Sequence, residues 1–224
     1  MRLRADHISL FIDGKPVLEK VSVTARPGRM LVLAGSSGSG KTTLLNVLGL
    51  LRRIDAGEVV VGEQNATKWR DRNRRRFWRE HVAFIFQDYG LIEEASVEYN
   101  VTVGRRTLLG IRRGDRERVD AVLEHVLLRG RNKEQTSRLS GGEKQRVGLA
   151  RAMFRQADIV LADEPTASLD RKNREMVTNF LIEEARRGAT VVVATHDEDL
   201  MAAGDDLIRL DQVEVAEPAH QSPE

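Results

Sequence analysis

Hydrophobic residues along the chain fall into two rhythms. The first is short and dense. Residues 29–34 (RMLVLA), 82–86 (VAFIF), 158–162 (DIVLA) and 190–194 (TVVVA) are nearly all apolar and end in polar or glycine residues. Such runs read as buried strands. Residues 56–62 (AGEVVVG) and 206–210 (DLIRL) give two more short strands. Near the N-terminus the run loosens into alternation. Residues 2–12 alternate imperfectly, Asp13-Gly14 is a hairpin-turn signal, and residues 17–25 resume with Val17, Val21 and Val23. Residues 3–33 therefore read as antiparallel β structure, with a turn at Arg26-Pro27-Gly28 into the first dense strand. The second rhythm is helical. It covers residues 43–51, 145–156 and 173–186, and it recurs at Val119, Val122, Leu123, Val126 and Leu127. Residues 91–135 as a whole read as largely helical. Strands interleaved with helices make an α/β protein.

Composition narrows this picture. The chain has 224 residues, of which 41% are hydrophobic and 31% charged, a globular profile with enough length for one large domain. No apolar run approaches a transmembrane length, and residues 1–10 lack the apolar stretch of a signal peptide, so the expected location is cytoplasmic. There are no cysteines, which excludes disulfides and thiol chemistry. A formal net charge of +2 gives no global argument for nucleic-acid binding.

The candidate chemistry begins at Gly35-Ser36-Ser37-Gly38-Ser39-Gly40-Lys41-Thr42, followed by Thr43. This fits the phosphate-loop pattern G-x-x-x-x-G-K-[ST]. A flexible linker would not be clamped between a buried strand and an apolar helix. In that context the glycines let the backbone wrap around phosphates, with successive N–H groups pointing inward. Charge-assisted hydrogen bonds are worth roughly 1.5–3 kcal/mol each, and a helix dipole roughly 0.3–2 kcal/mol. The loop N–H groups and the Lys41 ammonium should dominate binding, and Thr42 offers a hydroxyl to Mg²⁺.

Further candidates follow strand ends. Asp163 and Glu164 close the run 158–162, where a carboxylate suits a Mg²⁺ shell and its neighbour could polarise a water; alone they could equally be solvated loop acids. His196 stands at the matching place after residues 190–194, a position more often structural. Ser140 with Glu143 resembles a capping box. Gly141 and Gly142 cost that helix stability, which close approach to phosphate oxygens would explain. Phe11 could stack on an adenine or be an ordinary strand aromatic. The basic stretch 68–79, with Trp69, Phe77 and Trp78, reads best as a surface helix with aromatics inward and arginines solvated; a nucleic-acid patch and a contact with anionic lipid are the other readings. Residues 216–224 read as a frayed tail.

Taken together, GSSGSGKT at 35–42, FQ at 86–87, LSGGE at 139–143, IVLADEP at 159–165, SLD at 168–170 and TH at 195–196 resemble the ATP-binding subunit of ABC transporters, nearly end to end. The resemblance implies a P-loop NTPase core with an antiparallel β subdomain and an α-helical subdomain at about 90–156, all within one domain over 1–215. It implies ATP and Mg²⁺ as ligands. Residues 35–43, above all Lys41, would bind the phosphates, Thr42, Gln87 and Asp163 the Mg²⁺, and Phe11 the adenine, where tyrosine is commoner in the family. Glu164 would be the general base, His196 the γ-phosphate switch, and Gln87 would also position water and sense the membrane partner. Ser140, Gly141 and Gly142 would cap the ATP held by a second copy of the chain, with Asp170 in the crossing segment. Glu143 stands where many members have glutamine. The partners implied are that second copy, in an ATP-dependent homodimer, and an integral-membrane permease on a separate chain; no nucleic acid is expected, and the room between Gln87 and Ser140 suits only a compact subdomain. The location implied is peripheral, on the inner face of the membrane. Residues 35–46, 86–101 and 139–152 are similar to ATPases of macrolide and antimicrobial-peptide exporters, lipoprotein-release systems and cell division, and 87–101 most to bacteriocin exporters. A force-transmitting ATPase of cell-envelope remodelling, moving no substrate, is the alternative.

Overall fold

The computed structural model describes residues 1–103, 113–167 and 169–212. Part of the expected helical subdomain, Ser168 and the expected tail 216–224 lie outside the described residues.

The N-terminal alternation forms a hairpin, β1 (Leu3–Ile12) and β2 (Lys15–Ala25). Its turn is Asp13-Gly14, both with positive φ, 51° and 75°, as a right-twisted two-residue hairpin requires. β1 also pairs antiparallel with β4 (Ala56–Val61), and β4 with the two-residue β5 (Gln64–Asn65). The order is β2-β1-β4-β5.

The dense runs form a second, parallel sheet. β3 (Met30–Ala34), β6 (Val82–Ile85), β7 (Ile159–Asp163), β8 (Thr190–Ala194) and β9 (Asp206–Arg209) lie in the order β6-β7-β8-β3-β9. Its central strands are buried on both faces, which is why they lack alternation. Met30 and Val32 enter one core with Val160, Val191 and Val193, while Leu31 and Leu33 enter the other with Leu161 and Val192. The first core is closed by α3 (Val97–Thr102), α4 (Arg113–His125), α5 (Gly141–Arg155), α6 (Arg171–Arg186) and α7 (Glu198–Ala203). The second is closed by the antiparallel sheet, α1 (Lys41–Leu48) and α2 (Asp71–His81).

Three expectations change. The helix expected at 43–51 begins at Lys41 and stops at Leu48, where Gly49 is the cap and Leu50 has φ 57°. The described part of the region 91–135 is less helical than its apolar spacing suggests. Its irregular backbone is held by a buried side chain, Asn100, which accepts from the Ile92 N–H (2.8 Å) and donates to the Ile92 and Ser96 carbonyls (3.0 and 3.1 Å). Phe77 is buried as expected, but so is Arg74, whose pKa burial lowers; it packs on the inner face of α2 beside Phe77, so the arginines of this stretch are not all solvated.

Asn100→Ala leaves the Ile92 amide and carbonyl without these partners. It should cost about 2–4 kcal/mol of stability, read as a lower urea midpoint at an unchanged m-value.

Candidate functional site

The parallel strands all end at one edge of their sheet, and there the loops after β3, β6, β7 and β8 converge. The loop after β3 feeds α1 through Gly40, which has φ 92° and ψ 7°. A Cβ there would lie 3.0 Å from the Val17 carbonyl oxygen and 3.1 Å from Leu18 Cδ2, so β2 presses directly on the loop. α1 has no side-chain cap and no acid in its first turn. Its first N–H groups and its positive end are therefore available to an anion. Lys41 is only 7% exposed. Its Nζ donates to the Gly35 and Ser36 carbonyls, both at 2.9 Å, so the ammonium is held over the loop's rim. Ser36, Ser37, Gly38 and Thr42 are exposed, and Gly35, Ser39 and Thr43 are half-buried.

The Thr42 hydroxyl donates to Asp163 Oδ1 at 2.9 Å, which joins the loop to the end of β7. Burial raises the Asp163 pKa, opposed by the Thr42 hydrogen bond, while the Glu164 charge adds to the rise. Gln87 and Asp88 line a cleft with Asp163. Among the described residues no cluster of three or more His, Cys, Asp or Glu could hold a metal alone. A threonine hydroxyl, one partly buried carboxylate and a nearby amide are hard oxygen donors of the type that suits Mg²⁺, too few to complete its shell on their own.

Glu164 follows with φ 43°, an uncommon conformation for a non-glycine residue. Its N–H donates to the Ala194 carbonyl at 2.8 Å, which ties β7 to β8. Its side chain is 13% exposed, and Oε2 lies 2.9 Å from Nδ1 of His196, whose ring is 72% exposed. Thr195 Oγ1 also donates to this oxygen at 3.3 Å. A sheltered carboxylate thus carries an outward-facing imidazole at its tip.

Phe11 stands near the end of β1, across the hairpin from the part of β2 that presses on Gly40. It is 49% exposed, its N–H donates to Asp55 Oδ2 at 2.8 Å, and it pairs across the hairpin with Pro16, one residue before Val17.

The remaining candidates form a second face. Ser140 caps α5 in the expected capping box: Glu143 Oε2 accepts from the Ser140 N–H at 2.8 Å, and Ser140 Oγ accepts from the Glu143 N–H at 3.4 Å. The Ser140 N–H, and then Arg131, hold the Glu143 carboxyl down at about 2. Glutamate at this position is therefore a structural residue of the turn. Ser140 and Gly141 are exposed, and a Cβ at Gly141 would lie 2.9 Å from the Tyr89 hydroxyl. A Cβ at Gly142 would approach Asn173 Nδ2, and Asp170 caps α6 by accepting from the Asn173 N–H (2.8 Å) and Nδ2 (3.0 Å). Among the described residues, none of 140–142 hydrogen-bonds to the loop at 35–42.

The family model described as ABC transporter matches residues 18–167. The chain belongs to the ABC transporter family. The macrolide export ATP-binding/permease protein MacB of Escherichia coli is 40% identical over 183 residues, 82% of this chain and 28% of that protein. MacB of Rhodopseudomonas palustris (strain BisB18) is 38% identical over 204 residues, 90% of this chain and 31% of that one. The chain thus spans less than a third of the length of these curated relatives. A dimeric post-hydrolysis state of the ATP-binding cassette MJ0796 bound to ADP and Pi superposes with a TM-score of 0.85 at 29% identity, over 92% of this chain and 93% of that one. The two sheets and the helical side are those of an ABC ATPase, the fold class expected from the motifs, and the chain is its ATP-binding domain. Among the described residues no helix of this ABC cassette is long and apolar enough to cross a membrane.

Arg151 escaped the sequence reading, because it looks like one more polar residue on an amphipathic helix. It is 8% exposed, and it donates to the Gly90 (2.6 Å) and Tyr89 (2.9 Å) carbonyls of the loop after β6. Burial first, then the Arg155 charge, push its pKa down to about 10.

Asp163 has a testable cost. Its folded-state pKa is raised, so the nucleotide-free fold gives up stability as pH rises through that value and keeps it below the ordinary carboxylate range. Asp163→Asn retains an acceptor for Thr42 and removes the charge. Without nucleotide it should melt higher than wild type at pH 7, and the difference should close as pH falls toward 3–4, followed by circular dichroism.

Proposed function

We propose that the chain binds MgATP at residues 35–43 and hydrolyses it as one half of a head-to-tail homodimer that drives a membrane permease. The observation that carries this reading is the hydrogen bond from Thr42, next to the buried Lys41, to Asp163, with Glu164 and His196 following on the neighbouring strand ends. ATP arriving at the loop offers Lys41 phosphate oxygens in place of the Gly35 and Ser36 carbonyls. The first-turn N–H groups of α1 take further phosphate oxygens, and the exposed Phe11 ring offers a face to the adenine. Mg²⁺, when bound by Thr42, Asp163 and Gln87, supplies charge neutralisation on the phosphates. Glu164 accepts the proton of the attacking water. His196, held by Glu164 Oε2, reaches out to the γ-phosphate. Ser140, Gly141 and Gly142 make no hydrogen bond to their own loop and stand at a helix start with Ser140 and Gly141 exposed, which supports their use on the ATP of a second copy, with Asp170 alongside.

Relatives that join an ATP-binding part and a permease in one polypeptide support coupling to a membrane permease. A permease on a separate chain, a location on the inner membrane face and a peptide, drug or lipid-like exported substrate belong to this same proposal.

Glu164→Gln should bind ATP, hydrolyse it about 10²–10⁴-fold more slowly, and elute as an ATP-dependent dimer from a sizing column. Normal turnover in that variant would remove Glu164 from its role. Lys41→Ala should lose nucleotide affinity, measured by calorimetry; wild-type binding would contradict the cradle.

A further inference from the structure

β9 is the edge strand of the parallel sheet, and it is fastened to β3 at both ends. At its start, Arg29 Nε and Nη2 donate to the Asp206 carboxylate at 2.9 and 3.0 Å, and the Met30 N–H donates to Asp205 Oδ2 at 2.7 Å. The strands run parallel, with Ala34 opposite Arg209. Their continuations therefore leave the sheet side by side. Two residues past that pair, on either chain segment, stand Ser36 and Asp211. The Ser36 N–H donates to Asp211 Oδ2 at 2.8 Å, and the Ser36 hydroxyl to Oδ1 at 3.0 Å.

We propose that Asp211 is a positioning residue for the phosphate loop, one that fixes the Gly35–Ser36 peptide before nucleotide arrives. The inference rests on the nucleotide site proposed above. A trans peptide is planar, with its C=O and N–H on opposite sides. Here the Gly35 carbonyl accepts from the Lys41 ammonium and the Ser36 N–H donates to the Asp211 carboxylate. One peptide plane is thus held between a cation inside the loop and an anion outside it, and both bonds are charge-assisted. Fixing the N–H fixes the direction of the carbonyl.

The need for this second tether follows from what binding does to the first. Residues 36–38 are exposed, and within the loop Lys41 restrains the first turn from the inside. When phosphate oxygens recruit the ammonium, that restraint goes. Asp211 does not have to let go, because its bonds lie on the outer side. The first turn then stays ordered, and nucleotide does not have to offset the entropy of ordering it. Gly35 fits the same clamp: at its φ of 150°, a Cβ would lie 2.5 Å from Ser39 Oγ and 3.1 Å from Asp211 Oδ2.

The test is calorimetric titration of the full chain with MgADP, which requires no dimer, alongside thermal melts without nucleotide. Asp211→Ala should weaken MgADP binding about tenfold, the equivalent of one charge-assisted hydrogen bond. Asp211→Asn, which can still accept from the Ser36 N–H, should stay within about threefold of wild type, a rescue that general destabilisation would not give. Equal or tighter binding by Asp211→Ala would overturn the proposal, the latter by identifying the carboxylate as a repulsive charge. If Asp211→Ala does not fold, Ser36→Ala provides the second measurement. It keeps the N–H bond and should weaken binding about threefold; unchanged affinity there would also count against the clamp. Wild-type chain that did not bind MgADP would instead remove the nucleotide reading itself.

Discussion

A parallel sheet obliges its strands to end on the same edge, and this protein's site follows from that constraint. Ala34, Ala162–Asp163, Ala194 and Arg209 stand at neighbouring ends of β3, β7, β8 and β9. Whatever follows each strand is delivered to one line: the phosphate loop, the paired acids, the Thr195-His196 pair and Asp211. The Thr42–Asp163 hydrogen bond and the Glu164 N–H to Ala194 bond then lace these exits together. Without the parallel register, the same residues would be scattered over two edges.

The site is built from groups that are individually unfavourable. Lys41 is buried with its charge resting on carbonyls. Asp163 is disfavoured as an anion by its surroundings. Glu164 has a backbone angle that non-glycine residues avoid. Each term is small beside the two apolar cores that hold the strands, and each is of the kind that the proposed phosphates and cation would relieve or use. Strain and desolvation at a ligand site, offset by packing elsewhere, are the expected arrangement in a protein whose stability is marginal.

Much of this was legible from sequence, for a physical reason. Dense apolar runs at 29–34, 82–86, 158–162 and 190–194 can satisfy their backbone and bury both faces only as central strands, so the parallel sheet could be read directly. The capping box at Ser140 and Glu143 is local chemistry, and it formed as expected. What stayed hidden depends on distant pairs. The two-residue β5 has no pattern of its own. The irregular path of residues 91–96 depends on one buried amide, Asn100, which reaches back to Ile92 and Ser96 and across to Thr136 Oγ1 at 3.4 Å. Arg74 and Arg151 look like surface charges until the helices dock. Asp211 is an unremarkable acid after a short strand, and its meaning comes from the 175 positions that separate it from Ser36. The basic helix α2 needs no nucleic-acid partner to explain its aromatics, since Phe77 is core and Trp78 donates to the Gly49 carbonyl.

The hold of Arg151 on the loop after β6 has a mechanical meaning. Ser140 opens α5 and Arg151 lies near its far end, about 16 Å along a single rod. The Gln87 loop is bolted to that rod through two carbonyls, Tyr89 and Gly90, by a cation with little access to water. Moving the loop while leaving the rod in place would strand a buried guanidinium, which is far more costly than moving both. The two behave as a lever with a handle at Gln87 and a tip at Ser140. A displacement at Gln87 is carried, with almost no slack, to Ser140 at the far end of the rod.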